Sequence, residues 1–335
     1  MMIRNFLLGA SASVCALLIS VTTIAADDDV YRNNELASQF VTEMVKEHGF
    51  DKTELDAWFA SATKKQSILD AISRPAEKRL TWTQYRKIFV TTSRIKKGVD
   101  FWKEHEVILS KVEQEFGVPA AVIVAVIGVE TRYGQNKGSF RVIDALSTLA
   151  FDYPPRSKFF RKELKEFLLL SREQKQDPLA LMGSYAGAMG YGQFIPSSYR
   201  AYAVDYDKDG FADIWNNTDD AIGSVANYFK VHGWKSNHEV AVRSRVTDNF
   251  DESVINKSLK PSATIEDLSK KGFTPVKTLS DTGNATAMGV QGEWGAEVWL
   301  GLHNFYVITR YNHSRLYAMA VWQLSQEIAA QKTSP

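Results

Sequence analysis

Cysteine is almost absent from this 335-residue chain: Cys15 is the only one. A lone thiol cannot close an intrachain disulfide, so the fold must hold itself by packing. An excess of either charge sign is missing too, with 40 Lys and Arg against 39 Asp and Glu and a net charge of +1. That balance gives no whole-molecule field to attract nucleic acid or an anionic membrane. Low-complexity tracts and internal repeats are likewise missing. With 44% hydrophobic and 24% charged residues, the composition is that of a globular protein, long enough for two domains or one large domain with satellites.

One segment departs from that composition. Arg4 precedes an uncharged run from Asn5 through Ala26, and an acidic triplet, Asp27 to Asp29, follows. This is the layout of a secretory signal over residues 1–26, with Thr23-Ile24-Ala25 or Ile24-Ala25-Ala26 as the small-residue cleavage site. A membrane anchor is the weaker reading, because Ser, Thr and Ala dilute the run and no basic flank follows it. Cys15 lies inside the run, and Val14 before it is too large for lipid attachment. The expectation is a periplasmic, cysteine-free mature protein without a stable membrane anchor.

Downstream, hydrophobic periodicity predicts a mainly helical chain. "NNELASQFVTEMVKEHGF" places Leu36, Phe40, Val41, Met44 and Val45 on one helix face, with an Asn cap before it and Gly49 after it. "TELDAWFA" begins another helix, and Ser73 to Lys78, with Pro75, looks like a linker. A long amphipathic helix is expected from Ser93 to Phe116, closed by Gly117, with Pro119 in the first turn of the next. Further helices are expected at Lys158–Arg172, Ser197–Tyr202 and Asp219–His232. From His238 to about Trp299, "EVAVRSRV" alternates and turn residues multiply, which predicts a small inserted antiparallel sheet. The last segment, from "NFYVITRYNHS" onward, turns helical again.

Chemistry concentrates in three places. "AAVIVAVIGVETRYGQNKG" is apolar on every side until Glu130, which falls in the last helical turn if Gly134 ends the helix. Apolar surroundings and the negative end of the helix dipole both disfavour the ionised form. A carboxyl that keeps its proton near neutral pH is what glycosidic cleavage needs as a general acid. The alternative is a structural pair with Arg132 or Lys137.

The second place is "GSYAGAMGYGQFIPSSY", Gly183 to Tyr199, whose dense glycines let backbone approach a ligand. Ser184, Tyr191 and Gln193 are types that hydrogen-bond sugar hydroxyls or an acetamido group. A phosphate cradle would need a Lys-Ser/Thr after the glycines or a dinucleotide-type glycine spacing, and neither is present. A tight packing loop is the plainer alternative. "RYNHSRLY" adds Tyr311, Asn312 and Tyr317.

The third is "DYDKDGFADIWNNTDD". Asp205, Asp207 and Asp209 alternate ahead of Gly210, the first half of an EF-hand loop, with the Phe211 carbonyl as the next ligand. Position twelve is Asn216, where a bidentate Glu is standard. Oxygen ligands favour Ca²⁺ over transition metals, in a structural role.

Taken together, "GVETRYG", "DALSTLAFDYPPR", "GSYAGAMGYGQFIPSSY", "DAIGSVANYFKVHGW" and "ITRYNHS" occur in an order that resembles the membrane-bound lytic transglycosylase B family of peptidoglycan-cleaving enzymes, from about Trp82 to Trp322. The resemblance implies a lysozyme-like helical core at 93–235 carrying the EF-hand-like loop. It also implies a helical region at 27–92, a β insert at 236–303 and a helical return at 304–335. It makes Glu130 the single acid/base, and Ser184, Gln193, Tyr311, Asn312 and Tyr317 groove residues, with Tyr85 in "QYRKIF" walling the groove. Asp220 would complete the calcium site. An apparent one-residue lengthening leaves Asp219 and Asp213 as alternatives.

The implied activity is cleavage of the β-1,4 bond between N-acetylmuramic acid and N-acetylglucosamine, leaving 1,6-anhydromuramic ends and using no organic cofactor. Peptidoglycan glycan strands are the expected partner, with cell-wall synthesis or division proteins as candidates. A hydrolytic muramidase and a noncatalytic peptidoglycan-binding scaffold are the competing readings.

Overall fold

The computed structural model describes residues 30–73, 80–280 and 283–333. The signal segment with Cys15, and all of the Pro75 linker but its first residue, lie outside the described residues.

Three helices, α1 (Glu35–His48), α2 (Lys52–Ser61) and α3 (Gln66–Ile72), open the described chain. Asn34 caps α1 by accepting from Ala37 N, and Gly49, at φ 64°, closes it, as the sequence predicts. Next come α4 (Trp82–Phe89), α5 (Thr92–Glu104), α6 (Glu106–Phe116) and α7 (Ala120–Thr131). The single long helix expected from Ser93 to Phe116 is therefore two. His105, at φ −110° and ψ 26°, breaks it, and its ring lies 4.5 Å from that of Phe101. Pro119 stands one residue ahead of α7 rather than within it.

α7 has no polar face because it has no solvent face. Every residue from Ala120 to Val129 is buried, with α5, α6, α11 (Thr218–Val231) and α14 (Arg315–Thr333) packed around it. A helix apolar all round is one surrounded by its own protein.

Between α7 and α11 run β1 (Phe140–Arg141), α8 (Val142–Phe151), α9 (Ser157–Glu173), β2 (Met182–Gly183) and α10 (Pro196–Tyr202). β1 and β2 pair antiparallel, Phe140 against Gly183. The alternating region then forms β3 (Ala241–Val246), β4 (Ala263–Thr264), α12 (Ile265–Lys270), β5 (Phe273–Pro275), β6 (Asn284–Gly292) and β7 (Gly295–Gly301). They make one sheet, all antiparallel, in the order β4-β6-β7-β3-β5.

Period-two alternation divides this sheet between two cores. Ala241 and Met288 face the large helical core, while their neighbours Val242 and Ala287 join a second cluster with Leu268, Phe273 and Leu300. The chain returns through α13 (His303–Tyr311) into α14. Among the described residues no single helix is long and apolar enough to cross a membrane.

Candidate active site

Glu130 is the first residue of α7 that is not buried. The helix ends one residue later, at Thr131, because Arg132 and Tyr133 already adopt left-handed backbone, at φ 53° and 62°. The stop expected at Gly134 therefore comes two residues early. Tyr133 folds back to donate its hydroxyl to Arg94 O at 2.8 Å, which turns the chain sharply beneath the acid.

α14 brings the acid its partner. The Tyr317 hydroxyl donates to Glu130 Oε1 at 2.6 Å. Burial first, and then the Glu130 charge, push the Tyr317 phenol far above the ordinary tyrosine range, so it is a neutral donor at any working pH. Tyr85, 1% exposed on α4, also raises it. The Tyr311 ring lies parallel to that of Tyr317 at 6.4 Å and 8°, and its hydroxyl donates to Gly192 O at 2.5 Å. Asn312 ends α13 in extended backbone.

The glycine-rich loop is locked to the acid's own helix. The buried Thr131 hydroxyl lies 3.0 Å from Tyr191 O and 3.1 Å from Ile127 O, and it accepts Gly134 N at 3.0 Å. Gly134, at φ 84°, is required twice over: a Cβ there would sit 2.2 Å from the Tyr191 ring. Gln193 adopts φ 50°. Its Nε2 donates to Gly190 O at 3.0 Å and Lys137 O at 3.2 Å, which leaves the amide oxygen to accept from a ligand. Ser184 Oγ accepts Ala188 N at 3.0 Å. Ser184 and Gln193 line a cavity of about 390 Å³ with Gln135, Asn136, Lys137 and Tyr185.

Sequence reasoning passed over Thr131 as a brace, and it named Lys137 only as a possible partner of Glu130. The Lys137 ammonium lies 4.7 Å over the Tyr191 ring and donates to Trp215 O in the acidic loop. Nothing in a sequence pattern signals a lysine bridging two loops.

In the acidic loop, carboxylate oxygens of Asp205, Asp207 and Asp209 lie within 4.8 Å of one another. An all-carboxylate trio ahead of a Gly at φ 101° suits a hard divalent cation. Asp205 accepts Asp209 N at 3.0 Å and Gly210 N at 2.8 Å, holding the turn. Asp220 is fully buried. Its two oxygens accept Tyr206 N at 2.7 Å and Asp213 N at 2.8 Å, joining both ends of the loop. Burial raises its pKa above the ordinary carboxylate value. The Phe211 carbonyl accepts Asp213 N at 2.8 Å, and Asp213 Oδ1 accepts Trp215 N and Asn216 N, each at 2.9 Å.

Residues 32–326 match the family model described as a transglycosylase SLT domain. The chain belongs to that family. The match reaches well beyond the Trp82 to Trp322 span of the sequence motifs. The chain is 44% identical over 308 residues to membrane-bound lytic murein transglycosylase B of Escherichia coli K12, covering 89% of this chain and 84% of that protein. Its fold matches the lytic transglycosylases, superposing on the catenated SltB1 of Pseudomonas aeruginosa with a TM-score of 0.87, 53% identity and coverage of 90% and 99%. The E. coli lytic transglycosylase Slt35 in complex with calcium matches at TM-score 0.83 and 44% identity, over 90% and 95% of the two chains. The family expected from the motifs, and its mainly helical, lysozyme-like fold, are the ones observed.

Proposed function

We propose that this SLT-domain protein is a lytic transglycosylase that cuts the β-1,4 bond between N-acetylmuramic acid and N-acetylglucosamine, with Glu130 as acid and then base. The observation that carries the reading is the 2.6 Å hydrogen bond from buried Tyr317 to Glu130, next to the Thr131 that ties α7 to the glycine-rich loop. That bond fixes the orientation of the carboxyl. Glu130 gives its proton to the bridging oxygen as the C1–O bond breaks. The substrate's acetamido group stabilises the charge at C1. Glu130 then takes the C6 hydroxyl proton as that oxygen bonds C1, closing the 1,6-anhydro ring. Nothing but the glycan is consumed, and the carboxyl ends protonated as it began.

Conventional glycosidases place a second carboxylate across the bond. The acids nearest Glu130 in the downstream sequence have other work. Asp144 is buried and accepts two bonds from Arg141, at 2.9 and 2.8 Å, and Thr63 N at 2.9 Å. Asp152 accepts the Tyr31 hydroxyl at 2.6 Å and Lys64 at 2.8 Å. Both tie the N-terminal helices to α8, which supports a one-carboxylate mechanism.

Tyr85, Tyr191, Ser184, Gln193, Tyr311 and Asn312 are read as the walls of the glycan groove. Asp205, Asp207 and Asp209, with the Phe211 carbonyl and Asp220, would hold Ca²⁺, the ion seen in the Slt35 complex. The ion would supply only positive charge to neutralise three close carboxylates. The periplasm, where murein lies, is the place of action.

Digesting purified sacculi and weighing the products tests the reading. Anhydro-ended muropeptides are expected, and Glu130→Gln should cut their release by about 10³-fold, in line with loss of a general acid, with far-UV circular dichroism unchanged. Reducing ends would make the enzyme a muramidase. Full activity in Glu130→Gln would remove the acid/base role.

A further inference from the structure

The helix that presents Tyr85 to Tyr317 has further residues on a second cavity, of about 260 Å³, walled by α4, the β6–β7 turn and α14. Its walls are pinned across all three elements. Arg86 Nε donates to Gln323 at 2.9 Å, the Thr83 hydroxyl donates to Gln291 O at 3.1 Å, and Lys87 lies 3.9 Å from Glu293. At the tip of the turn stands Trp294, 94% exposed. A two-residue hairpin turn asks for Gly, Asn or Asp, and neither turn geometry nor core packing gives a reason for tryptophan there.

The chemistry on offer is narrow. Arg86 and Lys87 are balanced by Glu293 and Glu297 on the same cavity, so a polyanion or anionic lipid surface gains no net attraction. A neutral pyranose fits better. Its C–H face lies on an indole, while its hydroxyl and acetamido groups find amide, guanidinium and carboxylate partners at the ring's edge. Gln323 on this cavity and Tyr317 beside Glu130 are six residues apart on one helix, about 9 Å of rise.

We propose that Trp294 and the cavity beside it form a second glycan-binding site, which holds peptidoglycan strands at a distance from the bond being cut. The proposal rests on the reading of the chain as a peptidoglycan enzyme. Its test is independent of turnover: co-sedimentation of Glu130→Gln and of Glu130→Gln/Trp294→Ala with purified sacculi. Removing the ring should weaken binding about 5- to 10-fold without change in circular dichroism or Tm, and Trp294→Phe should keep most of the affinity. On the active background the loss should fall on KM for sacculi rather than on kcat. Equal sedimentation of the two proteins overturns the site. So does a loss seen with anionic phospholipid vesicles but not with sacculi, which would make the turn a membrane contact. If the active enzyme released no anhydro ends, the functional reading would fail while the sedimentation result still decided this one.

Discussion

The glycine-rich segment 183–194 and the acidic segment 205–216 are both irregular and of similar length, yet opposite forces shape them. The first pairs Met189 with Phe194 across its own backbone and is then tied down by side chains of other segments. Thr131 reaches Tyr191 O, Tyr311 reaches Gly192 O, and Gln193 reaches Lys137 O. The second is held from within, by aspartates accepting backbone N–H groups two to five residues on. They also meet: Tyr191 N donates to Ile214 O at 3.0 Å, and Lys137 donates to Trp215 O. A loop braced by its own aspartates thus backs a loop braced also by its neighbours.

The largest expected effect comes from a methyl group. Gly190→Ala would place Cβ 2.4 Å from Ile214 O at φ 68°. Left-handed backbone costs about 1–2 kcal/mol and overpacking about 1–3 more, so unfolding in urea should show a loss of about 2–5 kcal/mol. Gly210→Ala, at φ 101° in the acidic loop, meets nothing within 4 Å and should cost only the backbone share, about 1–2 kcal/mol. Equal losses would mean that the two loops are not held differently.

Calcium comes next. At a hundredfold excess over Kd it should stabilise the fold by about 2.7 kcal/mol, read as a rise in Tm that EDTA reverses and Asp207→Ala abolishes. A Tm indifferent to calcium would leave the acidic loop standing on its internal hydrogen bonds alone.

Tyr317→Phe removes the donor to Glu130 and should slow turnover about 10- to 100-fold, the worth of a hydrogen bond to a charged group. That donor favours the ionised carboxylate, so its loss should move the alkaline limb of the pH–rate profile upward. The tyrosine itself cannot supply that limb, because burial and the Glu130 charge hold it protonated. An unmoved limb would place the acid elsewhere.

The smallest effect concerns α10, the joint between the two loops. Glu163, buried, accepts Ser197 N and Oγ, each at 2.9 Å, at the start of that helix. Burial, only partly offset by those bonds, raises its pKa. The folded state therefore holds this proton more tightly than the unfolded one. Its contribution is full below the ordinary carboxylate range and falls as pH rises through that range toward the folded value. Glu163→Gln should lack that slope when Tm is followed from pH 4 to 7, a change of about 1 kcal/mol or less.

Much of this was legible in advance where the cause is local. The caps of α1, the closure of α6 by Gly117, the alternation of β3 and the converging aspartates follow from neighbours in sequence. Misreadings occurred where distant residues decide. The break at His105 interrupts an unbroken amphipathic pattern, and the early stop of α7 reflects Tyr133 folding back onto Arg94 O.

By itself the sequence determined that α7 is buried on all sides and that one carboxyl emerges at its end, because ten apolar residues in a row, too few to span a membrane, leave no side to face water. Only the tertiary structure decided what that carboxyl meets. Tyr317 lies 187 residues away, and no local rule of helix or turn links them; the packing of α14 against α7 brings the phenol to the acid.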